Sequence, residues 1–385
     1  MPNDNPTIIV PGILGSTLED FFSIEPRATW SEWESIATAL TGPDVFSLAL
    51  DPSGAFDGSL QVMTRANGLI PAAYERLASA LRGRRSAPVY VFPYDWRYST
   101  ATAGALLGAF VERVRAKMAA ALRGWDGRVD FVTHSLGGLV FRAYLSSNPP
   151  PSHLGQVVFM AVPQRGSLDA VEAMIRGKSL LFGGRKEMRK LARSFPSVYE
   201  LLPTFERAVV DSAGQELNVF DLRYWQENVT PYGPDGEEVH GLDVVQARLD
   251  AAARQQQAFR NPTDVVEARN ILTLYAVQRG STLEQVRVGP QSGLDHWYDF
   301  DRARLGDGDG VVLARSAVLP GVAAIRLTTS DVSFFTEASA RFVSLHAFIA
   351  TLDEAQTIVS RFLAGERRPA ELLPRSLPLD RYEGA

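Results

Sequence analysis

The stretch VDFVTHSLGGLVFRAYL, residues 129–145, decides how the chain is read. Val129 to Val132 form an apolar, β-branched run of the kind that makes a strand buried on both faces. Leu139, Val140, Phe141, Tyr144 and Leu145 then fall at helical spacing, and Pro149, Pro150 and Pro151 close the pattern. Ser135 stands between the two. A serine on a tight strand-to-helix turn has its hydroxyl pushed out of the C-terminal edge of a sheet, with the following amides aimed at the same spot. Such a turn demands small neighbours, which Gly137 and Gly138 supply downstream. Upstream, Thr133 stands where glycine is usual, so the nearest approach to G-x-S-x-G is T-x-S-x-G; a crowded strand end follows, with Thr133 fitted against a neighbouring strand. The same letters also describe a plain serine N-cap at a βα junction, and the stretch alone does not choose.

Similar short apolar runs recur on either side: TIIV (7–10), VYVF (89–92), VVFMAV (157–162), ILTLYAV (271–277) and VAAIRL (322–327). Amphipathic helices lie between them. In 103–122, Leu106, Leu107, Phe110, Val111, Val114 and Met118 share helical spacing, with Gly124 as a stop. Alternating strands and helices predict an α/β fold, a mostly parallel sheet with helices on both faces. The rhythm breaks over 168–268, which turns helical, basic and loop-rich without a convincing buried strand. The expected organisation is a core in two parts, 1–167 and 269–365, a cap or lid insertion at 168–268, and a Pro-rich surface tail at 366–385.

Composition removes several chemistries. The chain has no cysteine, which excludes disulfides, a thiolate nucleophile and Cys-ligated metals. Its formal charge of -5 over 385 residues lacks the basic excess of a nucleic-acid binder. MPNDNPTIIVPG enters a strand by residue 7 without the regions of a signal peptide, and no run approaches the ~18 apolar residues of a membrane span. The expectation is a cytoplasmic protein whose lipid contact, if any, is peripheral.

A serine hydroxyl attacks only when a base takes its proton, and the base needs an acid to fix its tautomer. Where the serine sits on a strand-to-helix elbow the chain order is Ser, acid, His. Of five histidines (His134, His153, His240, His296 and His346), only His346 follows the last strand. Thr351 with Glu354 three residues on announces a helix behind it as a capping box. His296 beside Asp295 reads as a surface pair, and His134 as structural, its side chain pointing away from Ser135. The acid should come from LGDGDGVVLARS (305–316): Asp309 between Gly308 and Gly310, with Asp307 as the competing choice. A calcium loop is the alternative there, but the D-x-D-x-D-G spacing and late glutamate are missing. Oxyanion donors are expected from the amides of Leu136 and of Ile13, the latter in IIVPGILGSTLED, where Gly12 and Gly15 let the backbone fold close.

PGILGS (11–16), PYDWR (93–97), HSLGG (134–138), GDGVV (308–312) and LHAF (345–348) occur in the order and rough spacing of lecithin:cholesterol acyltransferase-like proteins, a family with lysosomal phospholipase A2 and phospholipid:diacylglycerol acyltransferase relatives. The resemblance spans nearly the whole chain, and RSFPSVYELLP (193–203) adds to it. It implies an α/β-hydrolase fold with a cap, an acyl-serine intermediate and ester substrates, often lipids; chemistry of this kind needs no cofactor, and no metal is expected. Residue by residue it implies Ser135 as nucleophile, Asp309 as acid, His346 as base, and the Ile13 and Leu136 amides as oxyanion donors. GDGVV departs from the commoner GDGTV, and the disulfides and signal peptide of members acting outside the cytosol are absent. An esterase or lactonase for a soluble ester, or a silent interaction protein on the same fold, are the rival classes.

Three further features carry expectations. YDWR reads as structural, with Asp95 and Arg97 as a local ion pair. Residues 21–40 correspond to the family's membrane-contact segment, where Phe22, Trp30 and Trp33 are candidates for a lipid interface or for a packed subdomain. In the cap, Arg176, Lys178, Arg185, Lys186, Arg189, Lys190 and Arg193 face only Glu187, a basic excess suited to an anionic surface or simply to a solvated face, with SLLFGG (179–184) as a hinged lid.

Overall fold

The computed structural model describes residues 5–20, 27–31, 48–50, 64–147, 149–177, 186–227, 229, 242–291, 293–331 and 344–384. Strand β1 (Thr7–Val10) leads through a tight loop to β2 (Ser16–Asp20), which with β3 (Arg27–Trp30) and β4 (Thr64–Leu69) makes a small antiparallel sheet in the order β3-β2-β4. Helix α1 (Pro71–Arg84) returns the chain to β5 (Val89–Val91), α2 (Thr100–Ala121) to β6 (Val129–His134), and α3 (Leu136–Leu145) to β7 (Leu154–Met160). Then come α4 (Leu168–Arg176), α5 (Lys186–Ser194), α6 (Pro196–Glu200), the short β8 (Val209–Asp211) and α7 (Leu242–Ala258). The chain rejoins the sheet on β9 (Ile271–Gln291) and doubles back on β10 (Leu294–Gly308). It ends through α8 (Ala314–Ala317), β11 (Ala323–Thr328), α9 (Leu345–Phe348), α10 (Asp353–Leu363), α11 (Pro369–Leu372) and β12 (Tyr382–Glu383).

The main sheet runs β12-β11-β9-β7-β6-β1-β5, parallel from β11 to β5, so all six apolar runs become neighbouring strands as the sequence predicts. Their near-continuous hydrophobicity has a direct cause. Alternate side chains enter two separate cores: Ile8, Phe131 and Phe159 pack with α2 and α3 residues such as Leu107 and Phe141, while Ile9, Val132 and Leu272 pack with Leu77 of α1 and Ile358 of α10.

Several expectations need correction. Leu106 is exposed, because α2 turns small residues inward: a Cβ on Gly104 would lie 2.8 Å from the Tyr144 amide, so α2 and α3 approach backbone to backbone there. The helix behind His346 starts at Asp353 without a side-chain cap; Thr351 Oγ1 donates instead to the Phe348 carbonyl, so the capping box does not form. The stretch 168–268 does contain a buried strand, β8, which pairs in parallel with Val286–Val288 of β9. Beyond Ala276, β9 continues into a long hairpin with β10 that the sequence reading stops short of. Residues 366–384 do more than trail over the surface: Leu372, Leu373 and Leu377 are buried in the second core, and β12 pairs antiparallel with β11.

Candidate active site

Ser135 follows the last residue of β6 and precedes the first of α3, with φ 52° and ψ -128°. A non-glycine residue held there stores about 1–3 kcal/mol, so its surroundings must over-determine it. They do. The Ser135 amide donates to the Met160 carbonyl at 3.0 Å, continuing the β6–β7 ladder past its end, and its own carbonyl accepts from the Gly138 amide at 2.9 Å. Both following glycines are sterically required: a Cβ on Gly137 would lie 2.4 Å from the Val10 and Pro11 carbonyl oxygens, and one on Gly138 2.3 Å from Val162. Thr133 meets the neighbouring strand as expected, its hydroxyl donating to the Val158 carbonyl at 3.2 Å.

The structure brings Ser135, His346 and Asp309 together. His346 Nε2 lies 2.8 Å from Ser135 Oγ, and His346 Nδ1 lies 2.8 Å from Asp309 Oδ2. His346 sits at the start of α9, where Ser344 caps its amide at 3.1 Å and also donates to the Asp309 carbonyl at 2.8 Å, binding base loop to acid loop. Asp309 Oδ1 accepts from the amides of Val311 and Val312 at 3.0 and 2.7 Å, which fixes the carboxylate plane. The flanking glycines have separate reasons. Gly308 lies against the Val312 carbonyl, where a Cβ would stand at 2.4 Å, and Gly310 takes a positive φ of 94°.

The remaining candidates lie elsewhere. Asp307 is exposed and accepts from the Gly280 amide at 3.0 Å, so it serves the hairpin rather than His346. His296 on β10 stands 3.4 Å from Glu227. His134 bonds Tyr74 and the His346 backbone, and His153 bonds Tyr144 Oη; His240 lies outside the described residues. Among the described residues no group of three or more His, Asp or Glu is arranged to hold a metal ion.

Ile13 lies in the loop after β1, in a turn closed by the Gly15 amide on the Gly12 carbonyl at 3.1 Å. The turn presses on the serine: a Cβ on Gly12 would stand 2.8 Å from Ser135 Cβ. Leu136 is the first residue of α3, where N–H groups have no acceptor within the helix. Aromatic residues grip this loop from outside. Tyr94 Oη donates to the Pro11 carbonyl (2.9 Å), Trp96 Nε1 to the Ser16 carbonyl (3.2 Å) and Trp30 Nε1 to the Leu14 carbonyl (2.9 Å). Asp95 and Arg97 form the local ion pair at 2.6 Å, and Arg97 also donates to the Leu48 carbonyl. PYDWR thus carries structure, as read, and its work is to hold the loop bearing Ile13.

Trp30, a candidate for a lipid interface, is instead 2% exposed and packed edge-on against Trp96. Phe22 and Trp33 lie outside the described residues, as do the apolar lid segment 179–184, Lys178 and Arg185. Two of the basic residues are not on an open face: Arg193 is buried, donating to the Met174 carbonyl at 2.8 Å, and Arg176 pairs with Asp301 at 2.9 Å.

Ser135 and His346 open on a cleft of about 960 Å3 including its mouth. Its walls are mostly apolar: Ile13, Ile70, Ala173, Val198, Leu201 and Val312 come from the β1 loop, the residue before α1, the 168–268 stretch and the acid loop, with Tyr74, His134, Ser167 and Asp169 as polar exceptions beside the serine and His346. Tyr74 and Ser167 are residues the sequence reading misses. Ser167 caps α4 and donates to the Val311 carbonyl at 2.5 Å, tying that helix to the acid loop.

Residues 78–259 match the family model for lecithin:cholesterol acyltransferase. Just under half of the chain therefore resembles that family, on an α/β-hydrolase fold. The matched span holds Ser135, PYDWR and most of the cap stretch, while Ile13, Asp309 and His346 lie outside it. A chain of the Tle4–Tli4 complex has a similar fold, with a TM-score of 0.65 at 15% identity over 95% of this chain and 98% of that one. Aspergillus fumigatus lipase B aligns at a TM-score of 0.42 and 10% identity over 98% of this chain and 59% of that one. The mature Bacillus licheniformis lipase BlEst2 aligns at 0.38 and 14%, over 85% and 84%. No curated protein sequence matches the chain. No helix among the described residues is long and apolar enough to cross a membrane.

Proposed function

We propose that this LCAT-like protein is a serine hydrolase or acyltransferase that cleaves acyl esters of lipids through an acyl-serine intermediate. The observation that carries the reading is the Ser135–His346–Asp309 chain of two 2.8 Å contacts opening on an apolar cleft. Asp309 accepts a hydrogen bond from His346 Nδ1–H, which leaves Nε2 bare to receive the Ser135 proton. Ser135 Oγ attacks the ester carbonyl, and the oxyanion rests on the Ile13 and Leu136 amides. The imidazolium, stabilised by Asp309, gives its proton to the leaving alcohol. Water or a second alcohol then enters, loses a proton to His346 and attacks the acyl carbonyl; the acyl–Oγ bond breaks and His346 returns that proton to Ser135. No step needs a cofactor.

The apolar walls favour an acyl chain over a polar acid. Each buried methylene contributes about 0.8 kcal/mol, roughly four-fold in affinity. Turnover of p-nitrophenyl esters from acetyl to octanoyl, set beside phosphatidylcholine vesicles, tests the substrate class. The expected result is kcat/KM rising with chain length and fatty acid released from the vesicles. A preference for acetate with no action on vesicles would favour the soluble-ester reading. Adding a long-chain alcohol and weighing its ester by mass spectrometry separates acyl transfer from hydrolysis.

A further inference from the structure

Two buried side chains behind Ser135 take no part in that proton path, yet they join its parts. Tyr74 Oη accepts from the Gly12 amide at 2.8 Å and lies 2.7 Å from His134 Nδ1. His134 Nε2 lies 3.0 Å from the carbonyl oxygen of His346. The chemistry of these partners assigns every proton. A carbonyl only accepts, so His134 Nε2 carries the ring proton and donates it to His346. Nδ1 is then a bare acceptor and takes the Tyr74 hydroxyl proton, while the phenol oxygen keeps a lone pair for the Gly12 N–H. Each of the three bonds runs in one direction only.

The environment keeps those directions fixed. Both side chains are buried, and the rings meet edge-to-face. Burial, helped by the nearby His346, pulls His134 down to about 3, and burial holds the Tyr74 phenol well above its ordinary value. Neither group changes charge near neutral pH. The loop is shaped to the phenol as well: a Cβ on Gly15 would stand 2.9 Å from Tyr74 Oη.

We infer that Tyr74 and His134 are positioning residues, a buried hydrogen-bond relay that locks the Gly12–Ile13 turn and the His346 backbone to the strand end that carries Ser135. The relay rests on the proposed roles of Ser135, His346 and the Ile13 amide. It spans four separate pieces of chain: Gly12 lies in the loop after β1, Tyr74 belongs to α1, His134 ends β6, and His346 lies in the first turn of α9. An apolar pair would fill the same space but would leave the Ile13 amide and the His346 ring free to drift apart. Displacements of about 1 Å at a reacting centre cost on the order of a hundred-fold in rate.

The test uses the full chain and p-nitrophenyl butyrate, with kcat expressed per serine titrated by a fluorophosphonate, so that only folded enzyme is compared. Tyr74→Phe keeps the ring and removes the bonds to Gly12 and His134. His134→Gln keeps an N–H donor for the His346 carbonyl, and His134→Ala keeps none. The expected result is a kcat lower by about ten- to a hundred-fold in Tyr74→Phe with KM within about three-fold, and a loss of about a hundred-fold in His134→Ala from which His134→Gln recovers at least about ten-fold. If Tyr74→Phe does not fold, the two His134 variants decide. Wild-type kcat per titrated serine in Tyr74→Phe, or no recovery from alanine to glutamine, overturns the relay alone. Turnover surviving in Ser135→Ala overturns the proposed function with it.

Discussion

At Ser135 the backbone is strained and the neighbours are glycines because three chain segments meet within van der Waals distance of one residue. This fixes what substitution does. Gly137→Ala pushes a methyl against two backbone carbonyl oxygens, that of Val10 at the end of β1 and that of Pro11, which Tyr94 holds, and should cost at least about 2 kcal/mol in urea unfolding. Gly83→Ala is the control, since a Cβ there meets nothing within 4 Å and the site is helical; it should stabilise by about 0.5–1 kcal/mol. His346→Ala should reduce turnover by about 10^4-fold or more with folding nearly intact, whereas His296→Ala, which loses contacts to Glu227 and the Tyr224 ring away from the site, should leave kcat/KM unchanged. Much of this site is legible in the sequence because chain order restricts it: one histidine follows VAAIRL, and the loop before that strand offers two Gly-flanked aspartates, Asp307 and Asp309, between which chain order does not choose. Tyr74 is illegible for the opposite reason. Nothing in YERLASAL marks a phenol that reaches across to a loop 62 residues earlier in the chain.

At the scale of elements, α6 is pinned to the core by a buried carboxylate. Glu200 accepts from the Thr100 amide at 2.7 Å, at the N-terminus of α2, while Gln256 of α7 donates to the Glu200 carbonyl. Burial outweighs these bonds and raises the Glu200 carboxyl from 4.5 to about 7. The folded state therefore binds this proton more tightly than the unfolded one. The protonated form's stability is full below pH 4.5 and is lost as pH rises through about 7. Between pH 8 and pH 6 the wild type should gain about 1 kcal/mol relative to Glu200→Gln in paired denaturant melts. A constant difference across that range would contradict the assignment. The strands of the main sheet are legible because burial on both faces makes them continuously apolar. The β9–β10 hairpin is not, because QRGSTLEQVRVGPQ and DHWYDFDRARLGDG alternate polar and apolar residues and so lack that signal. Leu106 misleads for a related reason: helical spacing identifies an apolar stripe but not the small residues, Ala103 and Gly104, that let α2 close on α3.

Across the whole molecule, the sheet carries one core on each face, and the site forms where the segments after β1, β6 and β10 meet, bringing the Ile13 loop, Ser135 and the acid loop together. The last residues belong to this body. Removing residues 369–385 would strip Leu372, Leu373 and Leu377 from the second core and β12 from the edge of β11, a loss of about 5 kcal/mol by transfer, and should lower Tm by several degrees. The sequence reading treats that segment as a tail because prolines and charges dominate it, and three leucines spread over six residues show no strand or helix period. The central claim is that Ser135 is the nucleophile that His346 and Asp309 activate. Incubation of the folded protein with a fluorophosphonate, followed by intact mass and peptide mapping, tests it most directly. One adduct per chain is expected, on Ser135, with labelling abolished in Ser135→Ala and slowed at least about a thousand-fold in His346→Ala. An unlabelled but folded protein, or an adduct on any other residue, would contradict it.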